Sequence, residues 1–145
     1  MTVIPPRKAE TPSNIHRVLQ PEGWQQPVGY ANGIEARGRI LFIGGQIGWN
    51  ARCEFETDDF VAQVRQTLLN IVDILRAGGA EPHHITSMTW YFTDKKEYVD
   101  NLRAIGKAYR EVIGRHFPAM AAMQVVALVE DRAKIEIQAT AVVPE

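Results

Sequence analysis

Apolar positions divide the chain before any composition is counted. Across residues 58–77, Val61, Val64, Leu68, Ile71, Val72 and Leu75 recur at three- and four-residue steps, which puts one apolar stripe on a helix. Thr57 or Asp58 can cap its free N–H groups, and Gly78-Gly79 supplies a left-handed stop. A second helix follows Asp94, which with Glu97 forms a capping-box pattern. Its apolar face reads Tyr98, Leu102, Ile105, Tyr109 and Val112; Gly114 ends it, and Pro118 keeps it from resuming.

Strand-like segments surround these helices. Residues 39–44 (RILFIG), 85–93 (ITSMTWYFT) and 124–129 (QVVALV) are rich in β-branched and other large apolar side chains. Residues 133–142 alternate: Ile135, Ile137, Ala139 and Ala141 point one way, and Lys134, Glu136, Gln138 and Thr140 the other. An earlier strand is expected over residues 29–36, joined to the next by a turn around Gly38. The order strand-strand-helix-strand-helix-strand-strand predicts an α+β domain. Right-handed crossovers place both amphipathic helices on one face of a mostly β, mixed sheet. The other face carries Glu136 and Gln138 and also apolar side chains. It is therefore expected to pack against other subunits, with any site lying between them.

Composition narrows the picture. A chain of 145 residues suits one domain, taken as residues 15–145 after a Pro-broken leader at 1–14. The formal net charge of −1 offers no basic excess, so nucleic acid is not an expected partner. Cys53 is the only cysteine, which excludes an intrachain disulfide and suits a reducing compartment. It reads as an incidental loop thiol. No apolar run has the length of a membrane span or a signal-peptide core, so the expected location is cytoplasmic, with no membrane partner.

Candidate chemistry is sparse. His16, His83, His84 and His116 lack metal-ligand spacing, and His83-His84 in EPHHI reads as a solvated pair, so no metal is expected. Gly44, Gly45 and Gly48 form GGQIG after a strand. That is either a sharp bend or a bare backbone that a ligand can approach. No nucleophile elbow or Ser–His–Asp set occurs. Glu136, between Ile135 and Ile137, is the best acidic candidate: solvated or paired in the ordinary case, able to handle a water's proton in a subunit cleft.

The ordered segments GY, ILFIGGQIGWN, QVRQTLLNIVDILRAGGA, FPAM and KIEIQATAV resemble the reactive-intermediate deaminase family, RidA or YjgF, also labelled endoribonuclease L-PSP. The resemblance spans residues 28–143. It implies a chorismate-mutase-like fold, a homotrimer and three inter-subunit clefts. It also implies hydrolysis of imines and enamines of 2-amino acids with no metal or organic cofactor. By motif, Tyr30 matches a tyrosine lining the cleft, and Gly44 and Gly45 match a Ser-Gly pair. Glu136 matches the glutamate that holds the attacking water.

The departure falls at Met120, where the family's deaminases carry a substrate-clamping arginine after Pro-Ala. Methionine has no charge and no donor. Losing a bidentate clamp weakens a 2-imino acid by about one to three orders of magnitude. Arg103 or Arg132 is a candidate stand-in, and Met120 has core packing as its alternative role. Met120, Met123 and Trp49 would suit an apolar ligand without a carboxylate, although Trp49 equally suits interface packing. The leading expectation is a homotrimer hydrolysing an imine or enamine other than 2-aminoacrylate. The alternative is a non-catalytic small-molecule-binding relative. A ribonuclease ranks third, because the charge is near neutral.

Overall fold

A computed structural model describes residues 15–145; the expected leader lies outside the described residues. Four strands form the main sheet: β3 (Arg39–Ile47), β4 (Ile85–Phe92), β5 (Ala119–Gln124) and β6 (Ile135–Val143). Their order is β3-β6-β4-β5, with β4 and β5 parallel and the other pairs antiparallel. Two short strands, β1 (Arg17–Leu19) and β2 (Gly33–Glu35), form a separate antiparallel ribbon. The expected strand at 29–36 thus shrinks to β2 and pairs with β1, not with its neighbour β3. Its link to the main sheet is a bridge between Ala31 and Ala119, with the Ala31 N–H donating to Pro118 O at 2.9 Å.

Helix α1 (Phe60–Ala77) begins two residues later than expected, because both expected caps, Thr57 and Asp58, are engaged elsewhere. The Asp58 carboxylate accepts from Arg132 at 3.0 Å, leaving Asp59 to accept the Ala62 N–H at 2.9 Å. The stop is as expected: Gly79 adopts φ +75, and the Ala80 N–H closes back on Leu75 O at 2.8 Å.

The second helix is two helices, α2 (Lys95–Asp100) and α3 (Leu102–Val112). Asn101 breaks them. Its side-chain amide donates to Glu97 O at 2.7 Å, taking the carbonyl its own backbone N–H would use in a continuous helix. That N–H instead reaches Tyr98 O at 3.2 Å. The apolar spacing runs through the break, so periodicity alone could not reveal it.

Strand β5 also differs from expectation. It occupies Ala119–Gln124, and the β-branched run after it leaves the sheet once the Val125 N–H has bonded Phe92 O at 2.8 Å. The chain must then pass β4 to enter β6, so Val126 and Val129 lie on an exposed connection. Alanine and methionine carry little strand propensity, and pairing with β4 overrides it.

All helices pack on one sheet face, as expected. Val64, Leu68, Ile71 and Leu75 of α1 and Ile105 and Tyr109 of α3 join Ile43, Met88, Trp90, Phe92, Ile135 and Ile137 in one core. Full burial of each such side chain contributes about 1.5–3 kcal/mol. The opposite face stays open in the single chain: Phe42 is 80% exposed and Ile40 56%.

Candidate functional site

Strand β3 carries one extra residue between Ile43, paired with Ala139, and Gln46, paired with Ile137. The bulge falls on Gly44-Gly45, and the two glycines differ. A Cβ on Gly44 would meet open space, whereas one on Gly45 would collide with the Glu136 carboxylate. Of the two readings of GGQIG, Gly45 supports close approach. The group approaching it belongs to the protein itself.

Glu136 lies half-buried on the open face, opposite Ile47 of β3 and Tyr91 of β4. Among the described residues its carboxylate has no hydrogen-bond or ion-pair partner. Tyr91 pairs in turn with Met123 of β5, so Glu136, Tyr91 and Met123 share one row across the sheet. Tyr91 was not singled out from the sequence. The alternation in ITSMTWYFT, aligned against KIEI, is the signal that could have found it.

Tyr30 and Met120 lie in neighbouring segments, because the Ala31–Ala119 bridge lays the Tyr30 segment alongside the start of β5. Met120 pairs with Met88 and lies against the core while staying only partly buried. It lies three residues along β5 from Met123 and two strands from β6, so its backbone is about 10 Å along and about 10 Å across from that of Glu136. One chain therefore holds the candidates as two separated sets: Gly44, Gly45 and Glu136 in one, Tyr30 and Met120 in the other.

Trp49 follows β3 in a loop tied to α1, where Asn70 Nδ2 donates to Ile47 O at 3.0 Å and to Trp49 O at 2.8 Å. Its ring packs on Phe55 at 5.8 Å, and Arg132 lies over the other aromatic at 5.4 Å. Arg132 is further held by Asp58 and by Phe55 O at 3.3 Å. Arg103 lies on α3, on the covered side of the sheet. Neither proposed stand-in pairs with Glu136 of its own chain.

The four histidines of the chain gather at the start of β4. His16 Nε2 donates to His84 O at 3.1 Å, and His116 Nε2 donates to Ile85 O at 2.6 Å. The His83 and His84 rings lie 4.3 Å apart, and the Glu81 N–H donates to His84 Nδ1 at 2.8 Å. The expected solvated pair is thus a structural junction. Burial holds the His84 pKa below the ordinary imidazole value, helped by His83 and His16 and opposed by Glu81. Among the described residues, no group of three or more His, Cys, Asp or Glu could hold a metal ion. No described helix is long and apolar enough to cross a membrane.

The family model described as endoribonuclease L-PSP matches residues 24–143. A RutC family protein from Pyrococcus horikoshii is 34% identical over 129 residues, spanning 88% of this chain and 98% of its own. A 2-iminobutanoate/2-iminopropanoate deaminase from Capra hircus is 31% identical over 105 residues, spanning 72% of this chain and 73% of its own. The crystal structure of a protein of unknown function of the conserved Rid family from Yersinia pestis gives a TM-score of 0.79 at 32% identity. That match covers 88% of this chain and 98% of the other.

Proposed function

Because the chain belongs to the RidA/YjgF family, we propose that it acts as a homotrimer whose inter-subunit clefts hydrolyse an imine or enamine lacking a carboxylate. The observation carrying this reading is the Glu136 carboxylate beside the Gly45 backbone, with no hydrogen-bond or ion-pair partner among the described residues. The separation of Tyr30 and Met120 from Glu136 supports the inter-subunit part: a cleft using both sets needs them from different copies. The exposed Ile40 and Phe42 supply an apolar face for that assembly.

In the proposed reaction Glu136 takes a proton from water as the water oxygen bonds to the C=N carbon. The imine nitrogen becomes an amine through proton transfer, the C–N bond breaks, and ammonia and a carbonyl compound leave. An enamine first takes a proton at carbon and enters as the imine. A carboxylate-bearing imine meets Met120 where a cation would be needed. The missing bidentate clamp lowers its hydrolysis by about one to three orders of magnitude. Under the same proposal the protein works in the cytoplasm without a cofactor, as a small-molecule enzyme.

The test is ammonia release from imines generated in situ, neutral aryl and alkyl imines against 2-iminopropanoate, with wild type and Glu136→Gln. Neutral imines turned over by wild type and not by the variant are the expected result. Efficient hydrolysis of 2-iminopropanoate would refute the substrate class, and equal rates in the two proteins would refute the role of Glu136. Saturable binding without turnover would establish the second reading, a non-catalytic binding protein, which the uncharged Met120 favours.

A further inference from the structure

We infer that Gln63, a fully buried residue of α1, is the positioning residue for Glu136; the inference rests on the reading of Glu136 as the proton-handling group. The inward face of α1 is otherwise almost wholly apolar, and Gln63 is 0% exposed. A buried amide there is stable only when its donors and acceptor are bonded. Gln63 Nε2 donates to Thr57 O at 3.1 Å and to Arg132 O at 3.0 Å, and its Oε1 accepts the Lys134 N–H at 2.9 Å. Its backbone is held as well, since the Thr67 hydroxyl donates to Gln63 O at 2.7 Å.

The groups it bonds explain the role. Lys134 stands two residues before Glu136, at the entry to β6. On β3 the ladder ends at the Ile47–Glu136 pair, and on β4 it ends at Phe92–Ile135. Glu136 therefore sits at the frayed end of its strand, with little ladder beyond it to fix the depth of its backbone. Gln63 supplies that hold from below. It also touches the partner strand: a Cβ on Gly48, next to Ile47, would lie 2.7 Å from Gln63 Cβ and 2.9 Å from its Cα. The α1 backbone at Gln63 thus lies close under the end of β3, while the Gln63 amide holds the entry to β6.

Two variants separate positioning from stability. Gln63→Met keeps the length and loses every side-chain bond. Gln63→Glu keeps an acceptor for the Lys134 N–H but turns a buried charge toward two carbonyl oxygens. Stability should therefore fall in the order wild type, Met, Glu, because an uncompensated buried charge is the costlier defect. Site function should fall in the order wild type, Glu, Met, because only Glu still seats β6. The readouts are thermal midpoint, kcat and KM on a neutral imine, and the carboxyl carbon NMR resonance of Glu136, assigned by its loss in Glu136→Gln.

In Gln63→Met, kcat should drop about 10- to 100-fold with KM little changed, as for a displaced reacting group, and the Glu136 resonance should shift. Site readouts that track the thermal midpoint, or a Glu136 resonance unmoved in Gln63→Met, would overturn the inference. If wild type hydrolyses no imine, the proposed function falls, yet the resonance order still decides the role of Gln63. If either variant fails to fold, the resonance of the other against wild type decides it.

Discussion

At the scale of single residues, the sharpest contrast is between two adjacent glycines. Gly44 faces open space, whereas Gly45 sits under the Glu136 carboxylate. The obstacle above Gly45 is the far end of a flexible side chain, so the chain can accept a methyl group there by swinging the carboxylate away. Gly45→Ala is therefore expected to change stability by less than about 1 kcal/mol while lowering turnover by about tenfold or more. Thermal unfolding and an ammonia-release assay on the same preparation check this. Gly44→Ala should leave both measurements near wild type, and equal losses in the two variants would detach Gly45 from the site. Tyr91 supplies a second residue-scale test, because its phenol shares the row of Glu136 without a hydrogen-bond partner among the described residues. Tyr91→Phe should preserve the fold and alter KM more than the thermal midpoint; an unchanged KM would remove Tyr91 from the cleft.

At the scale of elements, the junction before β4 sets a pH dependence. His84 Nδ1 accepts the Glu81 N–H, so it must be unprotonated in the fold, and burial lowers its pKa in the same direction. Below the ordinary value of 6.5 the unfolded chain takes up a proton that the folded chain resists. The contribution is therefore complete above that value and is lost as the pH falls through it and through the lowered folded pKa. His84→Asn keeps a side-chain acceptor for the Glu81 N–H but cannot titrate. Between about pH 7.5 and about pH 5.5 the wild-type thermal midpoint should fall further than that of the variant. Parallel falls would place the acid sensitivity elsewhere.

At the scale of the whole molecule, the uncovered sheet face carries the prediction. Light scattering should give three times the 16.3 kDa chain mass. Phe42, 80% exposed in one chain, is the apolar residue to change. Phe42→Glu would bury an uncompensated charge costing about 3 kcal/mol, weakening assembly roughly a hundredfold. Small-molecule binding should disappear with the trimer if Tyr30 and Glu136 meet across copies. A monomeric variant that still binds and turns over would confine the site to one chain.

The sequence by itself determined the α+β class, the apolar stripe of α1, the helix stop at Gly78-Gly79, the alternation of β6 and the family. These are local matters: side-chain period, cap chemistry and turn residues act over a few positions, and each is written in adjacent letters. Tertiary structure decided the rest. Arg132, 74 residues away, took Asp58 and moved the α1 cap to Asp59. Pairing with β4 made a strand of Ala119–Gln124 and left the better strand-former beside it in a loop. Register alone placed Tyr91 beside Glu136 and set Met120 apart from it. Long-range bonds and ladder register depend on which distant segments meet, and no local period encodes that.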